Sequence, residues 1–119
     1  RGYAGKVMAP CQQYIQYTSD AKKEAELLAR LTAEDADGAA GCLRLEEFFP
    51  VTDPAGGQDW YCLIMEKLDC SLFDFVSANR NMGFGLDVIR AMARQLLATA
   101  AFLHRRGLTH TDIKHKNIQ

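Results

Sequence analysis

The sequence predicts an α+β fold in two parts, a small antiparallel sheet carrying one helix, followed by a helical region. Three observations predict it. Residues 60–68, WYCLIMEKL, are a continuous apolar run behind the turn signal PVTDPAGGQD, as expected of a strand buried on both faces. Residues 19–31, SDAKKEAELLARL, have the composition of a helix placed before that run. From Cys70 onward the chain changes character, and residues 86–106 carry one long apolar stripe at helical spacing.

The elements follow in order. Residues 3–9 are a short strand candidate, weakened by Gly5 and closed by Pro10. Ser19 or Asp20 would cap the helix over 19–31. Within it, Glu24, Leu28 and Leu31 fall at i, i+4 and i+7, so one carboxylate shares a face with two leucines. Residues 32–41, TAEDADGAAG, have loop composition. Residues 42–49, CLRLEEFF, alternate as a strand and would pair with 60–68 as an antiparallel hairpin across a long loop. Phe48 and Trp60 are expected in the core. CSLFDFVSANR, residues 70–80, is a short helix ended by the stretch Asn81 to Gly85. In the long helix over 86–106, Leu86, Ile89, Ala93, Leu96, Ala100 and Leu103 repeat at three and four. Gly107 stops it, with Arg105 and Arg106 placed favourably in the last turn. The switch from sheet to helices lies near residues 66–71.

Composition narrows the function. A formal charge of -1 gives no footprint for direct binding of nucleic acid or an anionic membrane surface. The chain has no apolar run of about eighteen residues, so no membrane span is expected. Its first residues, RGYAGKVMAP, lack the apolar centre of a signal peptide. The first residue is Arg1, which predicts a processed chain or a piece of a longer one. Cys11, Cys42, Cys62 and Cys70 are widely spaced without a C-x-x-C, and read as reduced, mostly buried thiols.

The chemistry gathers after the long helix, in HTDIKHKN from His110 to Asn117. Activating a hydroxyl needs a group that accepts a proton, and the Asp112 carboxylate is one. An ammonium beside it, Lys114, can neutralise charge on a transferring phosphoryl group. The Asn117 carboxamide oxygen is a hard ligand suited to Mg²⁺.

His110-Thr111-Asp112-Ile113-Lys114-x-x-Asn117 resembles the catalytic loop of eukaryotic protein kinases, whose pattern is H-R-D-L-x-x-x-N. FLHRRGLTHTD is most similar to the LAMMER (Cdc2-like) dual-specificity kinases, with the SR-protein-specific kinases as near relatives. The likeness extends backward. WYCLIMEKLDCSLFDF resembles the fifth strand, hinge and following helix of that fold, and KKEAELLARL resembles its αC helix. The resemblance implies a partial kinase N-lobe over 1–65 (strand 3, αC helix, strands 4 and 5), a hinge over 66–71, and a partial C-lobe over 72–119. It implies ATP and Mg²⁺ as cofactors. Asp112 and Lys114 would be catalytic and Asn117 a metal ligand; Lys6, paired with Glu24, would bind phosphates. Met65 would be the gatekeeper, and Glu66, Lys67 and Leu68 the hinge whose backbone meets adenine. His110 would brace the loop. The implied substrates are proteins, arginine/serine-rich splicing factors among them, and the implied location is the nucleus. The oligomeric state is open.

Departures from the family pattern carry their own expectations. His115-Lys116 replaces the usual Pro-Glu, which predicts a looser loop and altered electrostatics toward substrate. No Gly-rich loop precedes Lys6 and no D-F-G follows Asn117, so the 119 residues are expected to be a piece with little or no kinase activity alone, exposing the apolar face of the long helix. Plainer readings stand beside these. Asp112 also suits a turn cap, Lys6 an ordinary surface lysine, and Glu24 a surface pair on its own helix. A catalytically inactive pseudokinase, or a truncated scaffold, is the alternative function.

Overall fold

The structure is a computed structural model that describes residues 2–8, 16–52, 60–80 and 82–119, for residues 16–19 as backbone only. The chain divides into two compact units, Arg1–Lys67 and Leu68–Gln119.

The first unit contains β1 (Tyr3–Met8), α1 (Gln16–Glu34), β2 (Leu45–Val51) and β3 (Trp60–Glu66). The strands form one antiparallel sheet in the order β1-β3-β2. The most apolar strand is therefore the central one, with Cys62, Leu63 and Met65 buried. Leu63 is fully enclosed. It packs with Ala25 and Met65, and Met8, Leu28, Leu43, Leu45 and Phe48 close around them. Ala21 and Ala25 are buried on α1, where small side chains let the helix lie close on the sheet. Phe48 stacks on Tyr61 at 5.3 Å between ring centroids, across the β2–β3 pair.

Several expectations are corrected. The helix is already formed at Gln16, the first described residue of this stretch, so Ser19 and Asp20 lie inside it rather than at its cap. Asp20 instead faces Lys23 at 3.8 Å. A helix gains one backbone bond for each residue added, so a single polar residue is a weak stop. The helix also continues to Glu34, through part of the predicted loop. Thr32 is held there because its Oγ1 accepts from the N–H of Leu45 at 3.0 Å. Beyond it, Gly38 and Gly41 make the turns at positive φ of 72° and 67°. Pro50 and Val51 belong to β2 rather than to the turn. Proline is tolerated because β2 is an edge strand. Trp60, expected in the core, is 40% exposed at the first position of β3. The rest of the predicted turn, residues 53–59, and Pro10 lie outside the described residues.

The second unit contains α2 (Leu72–Ala78), α3 (Leu86–His104) and a 3-10 turn (His115–Asn117). Ser71 opens α2 with a capping box: its Oγ accepts from the Asp74 N–H, and the Asp74 carboxylate accepts from the Ser71 N–H. α3 ends in a left-handed cap on Gly107, φ 71°. The Gly107 N–H donates to the His104 carbonyl at 3.0 Å and the Leu108 N–H to the Leu103 carbonyl at 3.1 Å. The predicted stripe of α3 is only partly buried. Phe102 and Leu103 are enclosed and Leu96 and Ala100 half-buried, while Leu86, Ile89 and Ala93 are exposed. Periodicity records which face is apolar and says nothing of what covers it. Cys42, Cys62 and Cys70 are free thiols, but only Cys62 is buried: Cys42 is half-buried and Cys70 exposed, against the expected burial, and Cys11 lies outside the described residues. No helix among the described residues is long and apolar enough to cross a membrane.

Candidate active site

Two groups of the expected site residues come together, one in each unit. In the first unit, Lys6 stands opposite Leu63 across the β1–β3 pair, and Glu24 lies on the sheet-facing side of α1 one residue before Ala25. The Lys6 ammonium donates to both carboxylate oxygens of Glu24, at 2.7 and 2.9 Å. Strand and helix are thereby joined by one two-pronged ion pair. Both side chains are more than a third exposed. Solvent screening holds the pair's contribution to stability to about 0–1 kcal/mol. A lysine fixed in this way keeps its charge at a set position, which suits an anionic ligand better than it suits folding.

Met65, Glu66 and Leu68 take different places. Met65 is buried in the core against Ala25 and Leu63. Glu66 is the anchor of the end of β3. Its carboxylate accepts from the Arg44 N–H at 3.0 Å, and its own N–H donates to the Arg44 carbonyl at 3.3 Å. The Lys67 N–H is taken by the Gly2 carbonyl at 3.1 Å. Leu68 is 38% exposed, and no hydrogen bond among the described residues uses its N–H. Of the three hinge residues expected to meet a ligand through the backbone, two therefore have their N–H committed to carbonyls just outside the strands.

In the second unit the stretch after α3 is not helical. Thr111 adopts a left-handed backbone, φ 63°. That conformation strains a β-branched residue, and such strain persists where surrounding bonds enforce it. Here the bonds are visible. The Asp112 N–H donates to His110 Nδ1 at 3.2 Å, so His110 does brace the bend. The Asn117 N–H donates to the Lys114 carbonyl at 2.8 Å, closing the 3-10 turn. The Asn117 carboxamide then donates to both the carbonyl and the Oδ2 of Asp112, each at 2.9 Å. Lys114 Nζ lies 2.9 Å from the same Oδ2. Two of the three expected side chains, Lys114 and Asn117, thus converge on one carboxylate oxygen of the third, Asp112. The Lys114 ammonium first, and the Asn117 amide second, hold the Asp112 carboxyl below the usual aspartate range. The carboxylate is solvent-exposed and ionised, with Oδ1 accepting no hydrogen bond among the described residues. It can accept a proton from a hydroxyl that approaches it.

His115 and Lys116, standing where Pro-Glu is usual, both contact the Phe73 ring on α2. Phe73 is a residue that the sequence reading missed, since no local pattern joins position 73 to position 115. The left-handed Thr111 was equally silent, because propensity argues against it.

A family profile described as protein kinase domain matches residues 1–119. The chain is similar to Serine/threonine-protein kinase AFC1 of Arabidopsis thaliana, 35% identical over 103 residues, which are 87% of this chain and 21% of that protein. It is similar to Dual specificity protein kinase CLK4 of Homo sapiens, 35% identical over 103 residues, 87% of this chain and 20% of that protein. It is also similar to Dual specificity protein kinase KNS1 of Saccharomyces cerevisiae, 34% identical over 103 residues, 87% of this chain and 13% of that protein. The chain therefore spans about a fifth or less of the length of these three relatives.

Proposed function

This chain belongs to the protein kinase domain family, and we propose that the protein carrying it transfers the γ-phosphoryl group of ATP to hydroxyls of protein substrates. One observation carries the reading: Lys114 and Asn117 converge on the Asp112 carboxylate. In the proposed reaction the substrate oxygen forms a bond to the γ-phosphorus as Asp112 takes its proton. The bond from that phosphorus to the bridging oxygen breaks, and ADP leaves with the electron pair. Lys114 steadies the γ-phosphate charge, and Lys6, held by Glu24, takes the α- and β-phosphates. Met65, Glu66 and Leu68 serve the adenine end, with Leu68 the residue whose N–H is not otherwise engaged.

Mg²⁺ suits the Asn117 carboxamide oxygen, which no hydrogen bond among the described residues uses, and when bound it would neutralise phosphate charge. Among the described residues no three His, Cys, Asp or Glu side chains gather as a metal cluster; Asn117 would supply one oxygen ligand.

The substrates we propose are serine and threonine hydroxyls, tyrosine included as a second class, in arginine/serine-rich splicing factors within the nucleus. The support is the resemblance of FLHRRGLTHTD and the names of the relatives as serine/threonine and dual-specificity kinases. The test uses the full-length gene product with ATP, Mg²⁺ and an arginine/serine repeat peptide. Asp112→Asn is expected to lower kcat by about 10²–10⁴-fold. Transfer at the unaltered rate by that variant would remove Asp112 from the reaction. A wild-type protein that binds ATP without transferring phosphate would make it a scaffold. Equal rates on an acidic-flanked peptide would sink the arginine/serine preference alone.

A further inference from the structure

The second unit ties its catalytic loop to α2 through one aromatic ring. Phe73 meets the His115 ring edge-on, with centroids 5.1 Å apart and planes at 65°. The Lys116 ammonium lies 4.8 Å from the centre of the same ring. One residue earlier, the Leu72 N–H donates to the Ile118 carbonyl at 2.7 Å. These contacts hold consecutive residues of the 3-10 turn and the residue after it, leaving Asn117 as the one whose side chain turns back to Asp112. α2 is itself fixed at its first turn by the Ser71–Asp74 capping box. Phe73 is 38% exposed, so its ring is not there to fill a core. Cation–π and edge-to-face contacts are individually weak, enough to choose between loop conformations without stabilising the whole fold much.

We propose that Phe73 is a positioning residue: it grips His115 and Lys116 so that Asn117 stays bonded to Asp112 and the carboxylate faces a substrate hydroxyl. This takes over the stiffening that a proline at position 115 would give. Its kinetic consequence rests on the kinase reading above; its structural consequence does not.

The experiment therefore reads both, in the full-length protein. Phe73→Leu removes the ring and keeps apolar bulk. Phe73→Tyr keeps the ring. Phe75→Leu is the control, since Phe75 lies on the same helix but stacks on Phe84, away from the loop. His115→Ala combined with Lys116→Ala removes the grip from the loop side, should Phe73→Leu fail to fold. The structural readout is hydrogen exchange at the Asn117 side-chain amide and backbone N–H, followed by NMR. Exchange is expected to quicken about tenfold in Phe73→Leu and in the loop-side double variant, and to stay unchanged in Phe73→Tyr and Phe75→Leu. The kinetic readout is a fall in kcat of about tenfold with KM for the peptide little changed, because misplacement of a reacting group acts on the chemical step. Unchanged Asn117 exchange in both grip-breaking variants would overturn the proposal, as would failure of Phe73→Tyr to behave as wild type. A wild-type protein that transfers no phosphate would end the kinase reading and leave the exchange result to decide the positioning role.

Discussion

Asp112 carries an unusual load for an exposed side chain. One carboxylate oxygen holds an ammonium and a carboxamide, and the backbone before it is left-handed at a threonine. The direction of its pKa gives a pH prediction. Its folded value lies below the ordinary one, so whatever order the knot lends the loop is complete above the unfolded aspartate pKa and is lost as pH falls through the folded value. Acid should therefore loosen residues 110–117 only below the range where most carboxylates titrate. Following the Asp112 side-chain carbon by NMR should give a midpoint below that of an unstructured aspartate. Lys114→Ala should move that midpoint upward, since the lysine is the largest cause. An unchanged midpoint in that variant would assign the shift elsewhere. Lys6 and Glu24 make the opposite kind of prediction. Their ion pair is short but half in solvent. Lys6→Met should change the free energy of unfolding by less than about 1 kcal/mol. It should abolish most ATP-dependent transfer in the full-length protein. A large loss of stability in a denaturant titration would make the pair structural instead.

At the scale of elements, what the sequence disclosed depended on how far apart the deciding residues were. β3 was legible because an apolar run behind a turn is a local signal, and its place at the centre of the sheet follows from its burial on both faces. Glu24 was legible because its spacing from Leu28 and Leu31 fixes the face of α1 it occupies. The start of α1 was not, because capping preference is a weak signal against helix propagation. The Glu66–Arg44 exchange and the Phe73 grip were invisible for another reason. Each joins residues more than twenty positions apart, and only the folded chain brings them together. The stop of α3 was legible from Gly107, although the helix ends at His104, so Arg105 and Arg106 lie beyond its last turn rather than in it. Gly107 sits at φ 71° with open space around the position a Cβ would take, so a substitution there costs backbone strain without a clash. Gly107→Ala should destabilise the second unit by about 1–2 kcal/mol. Thermal unfolding followed by circular dichroism measures it, and an unaffected melt would show that the left-handed cap is dispensable.

For the whole molecule, the question is what the chain of 119 residues leaves uncovered. The first unit encloses a core around Leu63. Among the described residues, the second does so only near Phe102 and Leu103. At the start of α3, Leu86 is 69% exposed, and Leu97, eleven residues on and nearly the same direction around the helix, is also 69% exposed. Met82, just before the helix, is 71% exposed. Isolated apolar residues on a surface are ordinary, but a line of them along one helix is a surface that water disfavours. The isolated chain should therefore bind a dye such as ANS and associate with itself as concentration rises. Replacing Leu86 and Leu97 together with lysine should reduce both effects. It should leave the melting temperature nearly unchanged, since neither side chain is buried on folding. Size-exclusion chromatography over a concentration series and dye fluorescence are the measurements. A chain that stays monomeric and dark to the dye would mean the α3 stripe is covered in solution. A double variant that unfolds would mean that it is part of a core.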